Sequence, residues 1–154
     1  MRLNKTLAII LARGGSKGIK NKNIIKINNK PLVYWSIKSC LASKLIDSVW
    51  VSSDSKKILK IAEKYGAKTI MRPERFSKDE SSSETAWLHA VKFLQNKISF
   101  KTIVGIQPTS PIRPSKFLDE ALKKYKKKKF DSLFSSQEIS DHFIWKKKNN
   151  KLFA

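Results

Sequence analysis

Apolar positions along the chain alternate between two rhythms. A continuous apolar run spans Leu7 to Ala12, and shorter stretches at Ser48 to Ser52 (with Val49, Trp50 and Val51), Ala67 to Met71 and Lys101 to Ile106 (with Ile103 and Val104) read as further strands. The unbroken first run fits a strand buried on both faces, as in a parallel sheet. Between them the period lengthens to that of a helix. Val33, Ile37, Cys40 and Leu41 form one such stripe, Ile58, Ile61, Ala62 and Tyr65 a second, and Trp87, Val91, Leu94 and Ile98 a third. Phe117, Leu118, Ala121, Leu122 and Tyr125 form a fourth. Strand and helix in repeated alternation predict an α/β fold, a parallel sheet with helices on both faces.

Local signals place the boundaries. Ile24 to Ile27 reads as a short extended piece turned by Asn28 and Asn29. Pro31 suits the first position of a helix, and Asp54 is placed to cap the next one, which Gly66 stops. Ser81 and Glu84 have capping-box spacing for a helix through about Asn96. Pro114 opens the fourth helix, and Lys126 to Lys129 end it where the helix dipole favours cations. Phe130 to Ser135 is expected to be another strand, and Phe143 to Trp145 the start of one more. Tyr34 and Trp35 read as packing, and His89, off its helix's stripe and with no second ligand at metal spacing, as a surface histidine.

Composition narrows the class. The 154 residues allow one domain with a core of its own. No apolar run approaches the length of a membrane span, and the run after Arg2 and Lys5 is shorter than a secretory signal requires. A single cysteine, Cys40, excludes an intramolecular disulfide and suits a reducing compartment, so the expected location is the cytoplasm. The formal charge is +21. Such a surface raises the question of nucleic acid. Yet of 33 basic residues only five are arginine, the rest being lysines spread along the chain, whereas phosphate clamping and base readout favour arginine forks. Most of the charge is read as solvated surface that draws in anionic substrates, and a nucleic-acid partner is not expected.

The chemistry concentrates after the first strand. Gly14, Gly15 and Gly18 let the chain turn tightly and bring N–H groups to a ligand, amid Arg13, Lys17, Lys20 and Lys22. Ligands of open α/β sheets sit at the carboxyl ends of strands, and an anion, most simply a polyphosphate, suits this one. Neither the Walker A pattern nor GxGxxG fits. On spacing alone a glycine turn with solvated lysines stays equally open. Arg72, held extended by Pro73, could reach the same crevice or simply face solvent, and the residues alone favour solvent. Pro108 and Pro111 stiffen a loop that offers Gln107, Thr109, Ser110 and Arg113 on a rigid support.

The stretch Leu11-Ala-Arg-Gly-Gly-Ser-Lys-Gly-Ile-Lys-Asn-Lys-Asn23 resembles the nucleotide-binding loop of the acylneuraminate cytidylyltransferases, the CMP-sialic acid synthetases. Met71-Arg-Pro-Glu74 and Ile106-Gln-Pro-Thr-Ser-Pro-Ile-Arg113 agree with the same family in order and spacing. The resemblance implies a Rossmann-like sheet of nucleotide-diphospho-sugar transferase type. The reaction it implies is transfer of CMP from CTP to a 2-keto sugar acid of nine carbons, with release of pyrophosphate, in cell-surface polysaccharide biosynthesis. A legionaminic- or pseudaminic-like acid, or the eight-carbon acid of lipopolysaccharide, stays open as acceptor.

By the same resemblance, Arg13 and Lys22 grip the triphosphate alongside N–H groups from Gly14, Gly15, Ser16 and Lys17. Asn23 meets the ribose or phosphate region, Arg72 and Ser83 (with Ser82 nearly as good a match) lie on the nucleotide side, and Gln107 lies near the sugar acid. Family members are longer, and their later part carries an Asp-x-Asp pair for Mg²⁺ and a dimer-forming extension. This sequence shows no such pair, and about 130–154 would correspond to the start of the extension. The expectations are therefore a single, incomplete nucleotide-binding domain, a homodimer if complete, and little activity alone. A non-catalytic CTP-binding subunit is the alternative.

Overall fold

The computed structural model describes residues 5–16, 18–77, 82–136, 146–148 and 151–153. The chain begins with strand β1 (Thr6–Leu11) and passes through a 3-10 turn (Lys22–Ile24) into the hairpin strands β2 (Lys26–Ile27) and β3 (Lys30–Pro31). Helix α1 (Leu32–Leu41), strand β4 (Ser48–Ser53), helix α2 (Lys56–Lys64) and strand β5 (Lys68–Met71) follow. After another 3-10 turn (Glu74–Phe76) come helix α3 (Ser83–Gln95), strand β6 (Thr102–Ile106) and helix α4 (Phe117–Lys128). A hairpin of β7 (Lys146–Lys148) and β8 (Lys151–Phe153) ends the described chain.

The main sheet has the order β5-β4-β1-β6, and all its pairings are parallel. Strand β1 explains the two-layer core. Its residues are buried on both faces and alternate between two clusters. Ala8 and Ile10 face Val33, Ile37, Cys40, Ile58, Ala62 and Leu118, so α1, α2 and α4 cover one side. Leu7 and Ile9 face Ala90 and Leu94 of α3 on the other. That alternation is the period-two geometry of a strand clad with helices on both sides. Chain order runs outward from β1 through β4 to β5, then returns to place β6 on β1's opposite edge. The reversal makes a crevice at the carboxyl ends of β1 and β6, where ligands of such sheets bind.

Several boundaries differ from the sequence reading. Pro31 is the N-cap of α1 rather than its first residue, because the Leu32 N–H still donates to Ile25 O of the hairpin segment at 2.8 Å. Leu41 leaves the α1 stripe at 49 % exposure, and Ser36 is buried there instead. Helix α4 starts three residues after Pro114, since Lys116 has φ 67, a left-handed value that an α-helix cannot contain. The Asn28 and Asn29 turn has φ of 49 and 60, as a tight two-residue hairpin demands.

Residues 130–135 form no strand, and Phe134 is 84 % exposed. Their local pattern suits a strand, but a strand exists only where a partner ladder accepts it. The expected strand start at Phe143 to Trp145 and the capping Ser81 lie outside the described residues. The serine that caps α3 is Ser82, whose Oγ accepts from the Thr85 N–H at 3.4 Å. Among the described residues, no helix is long and apolar enough to cross a membrane.

Candidate functional site

The carboxyl ends of β1, β4 and β5 lie side by side, and backbone ladders extend just past each. The Ala12 N–H donates to Ser52 O at 3.0 Å, and the Arg72 N–H to Ser53 O at 2.8 Å. Adjacent strands sit about 4.8 Å apart, so Arg13 and Gly14, Asp54, and Arg72 become spatial neighbours from three distant stretches of sequence. On the other side of β1, the end of β6 delivers Gln107, Pro108 and Thr109.

Between them opens a cleft of about 260 Å³. Arg13, Ser16, Lys22, Asn23, Arg72, Ser82, Ser83 and Gln107 all line it, with Leu11, Phe76, Ser77, Ala86, Pro108 and Thr109. Among the described residues that line it, three are cations and none is a carboxylate, so these residues favour an anion. Gly14 and Gly15 are not lining residues, and Lys17 lies outside the described residues. Ser110 and Arg113 do not reach this cleft either. Arg113 turns towards α1, its guanidinium donating to Ser36 Oγ at 3.2 Å and to the Gln107 carbonyl at 3.0 Å, which fixes the backbone that carries the Gln107 side chain.

The glycines contribute unequally. A Cβ on Gly14 would stand 3.0 Å from Ser55 Cβ, so this position must be bare for the loop to lie against the β4–α2 turn. Gly15 and Gly18 have open space and no left-handed φ, so crowding and handedness demand neither. Among the described residues of this loop, Asn21 is left-handed, with φ 57. Asn23 is buried and donates its side-chain amide to the Arg13 carbonyl at 2.8 Å.

Arg72 is 4 % exposed, which overturns the solvent-facing reading. Its Nε donates to Ser77 Oγ at 2.8 Å, and its terminal nitrogen stands 3.8 Å from Asp54 Oδ1. Burial pulls its pKa below the usual arginine value, Asp54 opposes that pull and nearby Arg13 adds to it. An arginine stays protonated even so, leaving a buried charge that an anion in the cleft would further compensate.

Sequence reasoning missed Asp54 in this setting and took it for a helix cap. The cap of α2 is Ser55, whose Oγ accepts from the Ile58 N–H at 3.5 Å. Asp54 is thereby released to accept the Gly14 N–H at 2.9 Å. A carboxylate at the end of a strand that neighbours β1 was the available signal. His89 also departs from expectation. Its ring stands 5.3 Å from that of Phe76, its Nδ1 is buried without a partner, and burial first, then Arg72 and Arg75, lower its pKa.

The resemblance implies Mg²⁺, and the described residues supply no ready-made set of side-chain ligands for it. No three His, Cys, Asp or Glu side chains converge among them, and Asp54 is already engaged by Gly14 and Arg72.

The sheet order, with a cationic cleft at its reversal point, defines an α/β domain of the nucleotidyltransferase type. A CMP:2-keto-3-deoxy-manno-octonic acid synthetase solved with CTP shares the fold at TM-score 0.68 and 20 % identity, over 80 % of this chain and 48 % of that one. The chain belongs to the cytidylyltransferase family, whose sequence model matches residues 7–153. It is 41 % identical over 121 residues to an N-acylneuraminate cytidylyltransferase of Escherichia coli, covering 79 % of this chain and 28 % of that protein. To a pseudaminic acid cytidylyltransferase of Campylobacter jejuni it is 36 % identical over 137 residues, 88 % of this chain and 59 % of the relative. The chain thus spans less than two thirds of these relatives' lengths.

Proposed function

We propose that this chain is the nucleotide-binding part of a cytidylyltransferase that transfers CMP from CTP to a nine-carbon 2-keto sugar acid, releasing pyrophosphate. The observation that carries the reading is the convergence of Arg13, Lys22 and Arg72 with Gln107 across one cleft at the sheet's reversal point. Relatives named for N-acylneuraminate and pseudaminic acid support the acceptor class, a sugar acid of sialic type.

The anomeric hydroxyl of the acid attacks the α-phosphorus as pyrophosphate departs, so catalysis consists of positioning the reactants and neutralising the charge on the phosphate oxygens. Arg13 and Lys22 hold the triphosphate, with Ser16 of the same loop beside it. Gly14 supports that loop from behind rather than donating to the ligand, since its N–H is already given to Asp54. Arg72, Ser82 and Ser83 lie on the nucleotide side, Asn23 shapes the loop, and Gln107 faces the acceptor.

Calorimetry of CTP binding to the wild type and to Arg13→Ala tests this. Micromolar binding that the substitution abolishes is the expected result. A folded wild-type protein that ignores CTP, or binds random DNA duplex in preference to it, would remove the reading.

A further inference from the structure

We propose that Asp54 is the positioning residue of this cleft, holding the first loop and Arg72 in the geometry that receives the phosphates. The inference rests on the triphosphate reading above and deepens it. Asp54 is not itself a lining residue and acts from behind. One oxygen, Oδ1, accepts the Gly14 N–H at 2.9 Å and faces the Arg72 guanidinium at 3.8 Å. The same side chain therefore ties the loop after β1 to the residue after β5.

Three further features make the arrangement specific. Ser55 takes over the capping of α2, so Asp54 is not committed to the helix. Gly14 must lack a Cβ for the loop to approach the β4–α2 turn that carries Asp54, since one would stand 3.0 Å from Ser55 Cβ. Ser77 holds the Nε edge of Arg72 at 2.8 Å, so the guanidinium is fixed from two directions.

Simple electrostatics and positioning predict opposite signs. A carboxylate beside a cationic cleft repels a triphosphate, so as a mere neighbouring charge its removal would tighten CTP binding. As a positioning group, its removal lets the loop and Arg72 relax, and binding weakens. Asparagine keeps an oxygen for the Gly14 N–H, whereas alanine and serine do not reach it.

The test compares wild type, Asp54→Ala, Asp54→Ser and Asp54→Asn for CTP and CMP affinity by calorimetry, together with amide hydrogen exchange over residues 13–16 without ligand. Expected is a loss of about tenfold or more in CTP affinity for Ala and Ser. CMP affinity should fall less, Asn should restore most of the loss, and exchange should quicken at Gly14 but not along β1. CTP binding by the folded Ala or Ser variant that equals or exceeds the wild type overturns the proposal. A wild type that does not bind CTP overturns the nucleotide reading and this role with it. In that case Gly14 exchange still separates the two ideas, because unchanged exchange in Asp54→Ala shows that Asp54 does not hold the loop at all.

Discussion

Asn23 donates its side-chain amide to the Arg13 carbonyl at 2.8 Å, closing the first loop upon itself across ten residues of sequence. Asn23 is 6 % exposed, so the bond is shielded and a lost partner would be costly. The resemblance cast Asn23 as a ligand contact, and the geometry adds that part of its hydrogen-bonding capacity serves the loop. Pinning the excursion between β1 and the 3-10 turn lowers the entropy that a nucleotide would otherwise have to remove.

Asn23→Ala should therefore lose about 1–2 kcal/mol of stability and weaken CTP binding together. Asn23→Asp should be worse on stability, because a carboxylate cannot donate to a carbonyl and two acceptors would face each other. Urea denaturation of the three proteins, beside CTP titration, checks the order. An aspartate variant as stable as the wild type would show that the loop is held by other means.

The strands and stripes were legible because burial on both faces leaves a simple mark, as β1 shows from Leu7 to Ile10. What the sequence did not carry was adjacency. Asp54 looks like a cap when read along the chain, and becomes a loop support only once β4 lies beside β1. Arg72 reads as solvent-facing for the same reason. Phe130 to Ser135 failed in the opposite direction, since an apolar run of the right length has no ladder to join. The cleft residues were named through family resemblance, and their convergence at one end of the sheet is a product of strand order.

Gly105 on β6 is set by α3. A Cβ there would meet Trp87 Cη2 at 3.0 Å and Cζ2 at 3.3 Å, so the indole lies directly on the bare backbone. Gly105→Val should overpack this contact and cost about 1–3 kcal/mol. Shrinking the partner with Trp87→Leu should recover part of that loss, so the pair should be non-additive in a double-mutant cycle of urea midpoints. Strictly additive losses would mean that the ring moves aside freely.

Cys40 is fully buried in the α1 face of the core, and burial pushes its thiol up to about 12, with Arg113 pulling weakly the other way. The thiolate is the reactive form, so the native protein should resist iodoacetamide at pH 8 and label at the rate of its opening. Because this is the only cysteine, mass spectrometry reads that opening without ambiguity. Prompt stoichiometric labelling under native conditions would contradict the packed α1–β1 layer.

Asp119 in the first turn of α4 binds the loop after α1 to that helix. Ser43 Oγ donates to Oδ1, the Lys44 N–H to Oδ2 at 3.2 Å, and the Leu45 N–H to Oδ1 at 3.3 Å. The Ser43 hydrogen bond, then the two backbone amides and Lys123, hold the carboxyl below its usual range against some opposing desolvation. A carboxylate near a helix N-terminus gains further from the dipole. Since the folded-state pKa is depressed, the stabilisation is fully present above the unfolded value of about 3.9 and is lost as pH falls through the folded one. The stability difference between wild type and Asp119→Asn should therefore be constant from about pH 5 to 8 and close below about pH 4. Ser43→Ala should raise the pH at which it closes, because the largest cause of the depression is gone. Denaturant midpoints measured across that range decide the matter, and a difference that persists undiminished to pH 2 would mean that the carboxylate's charge is not what joins α4 to the loop.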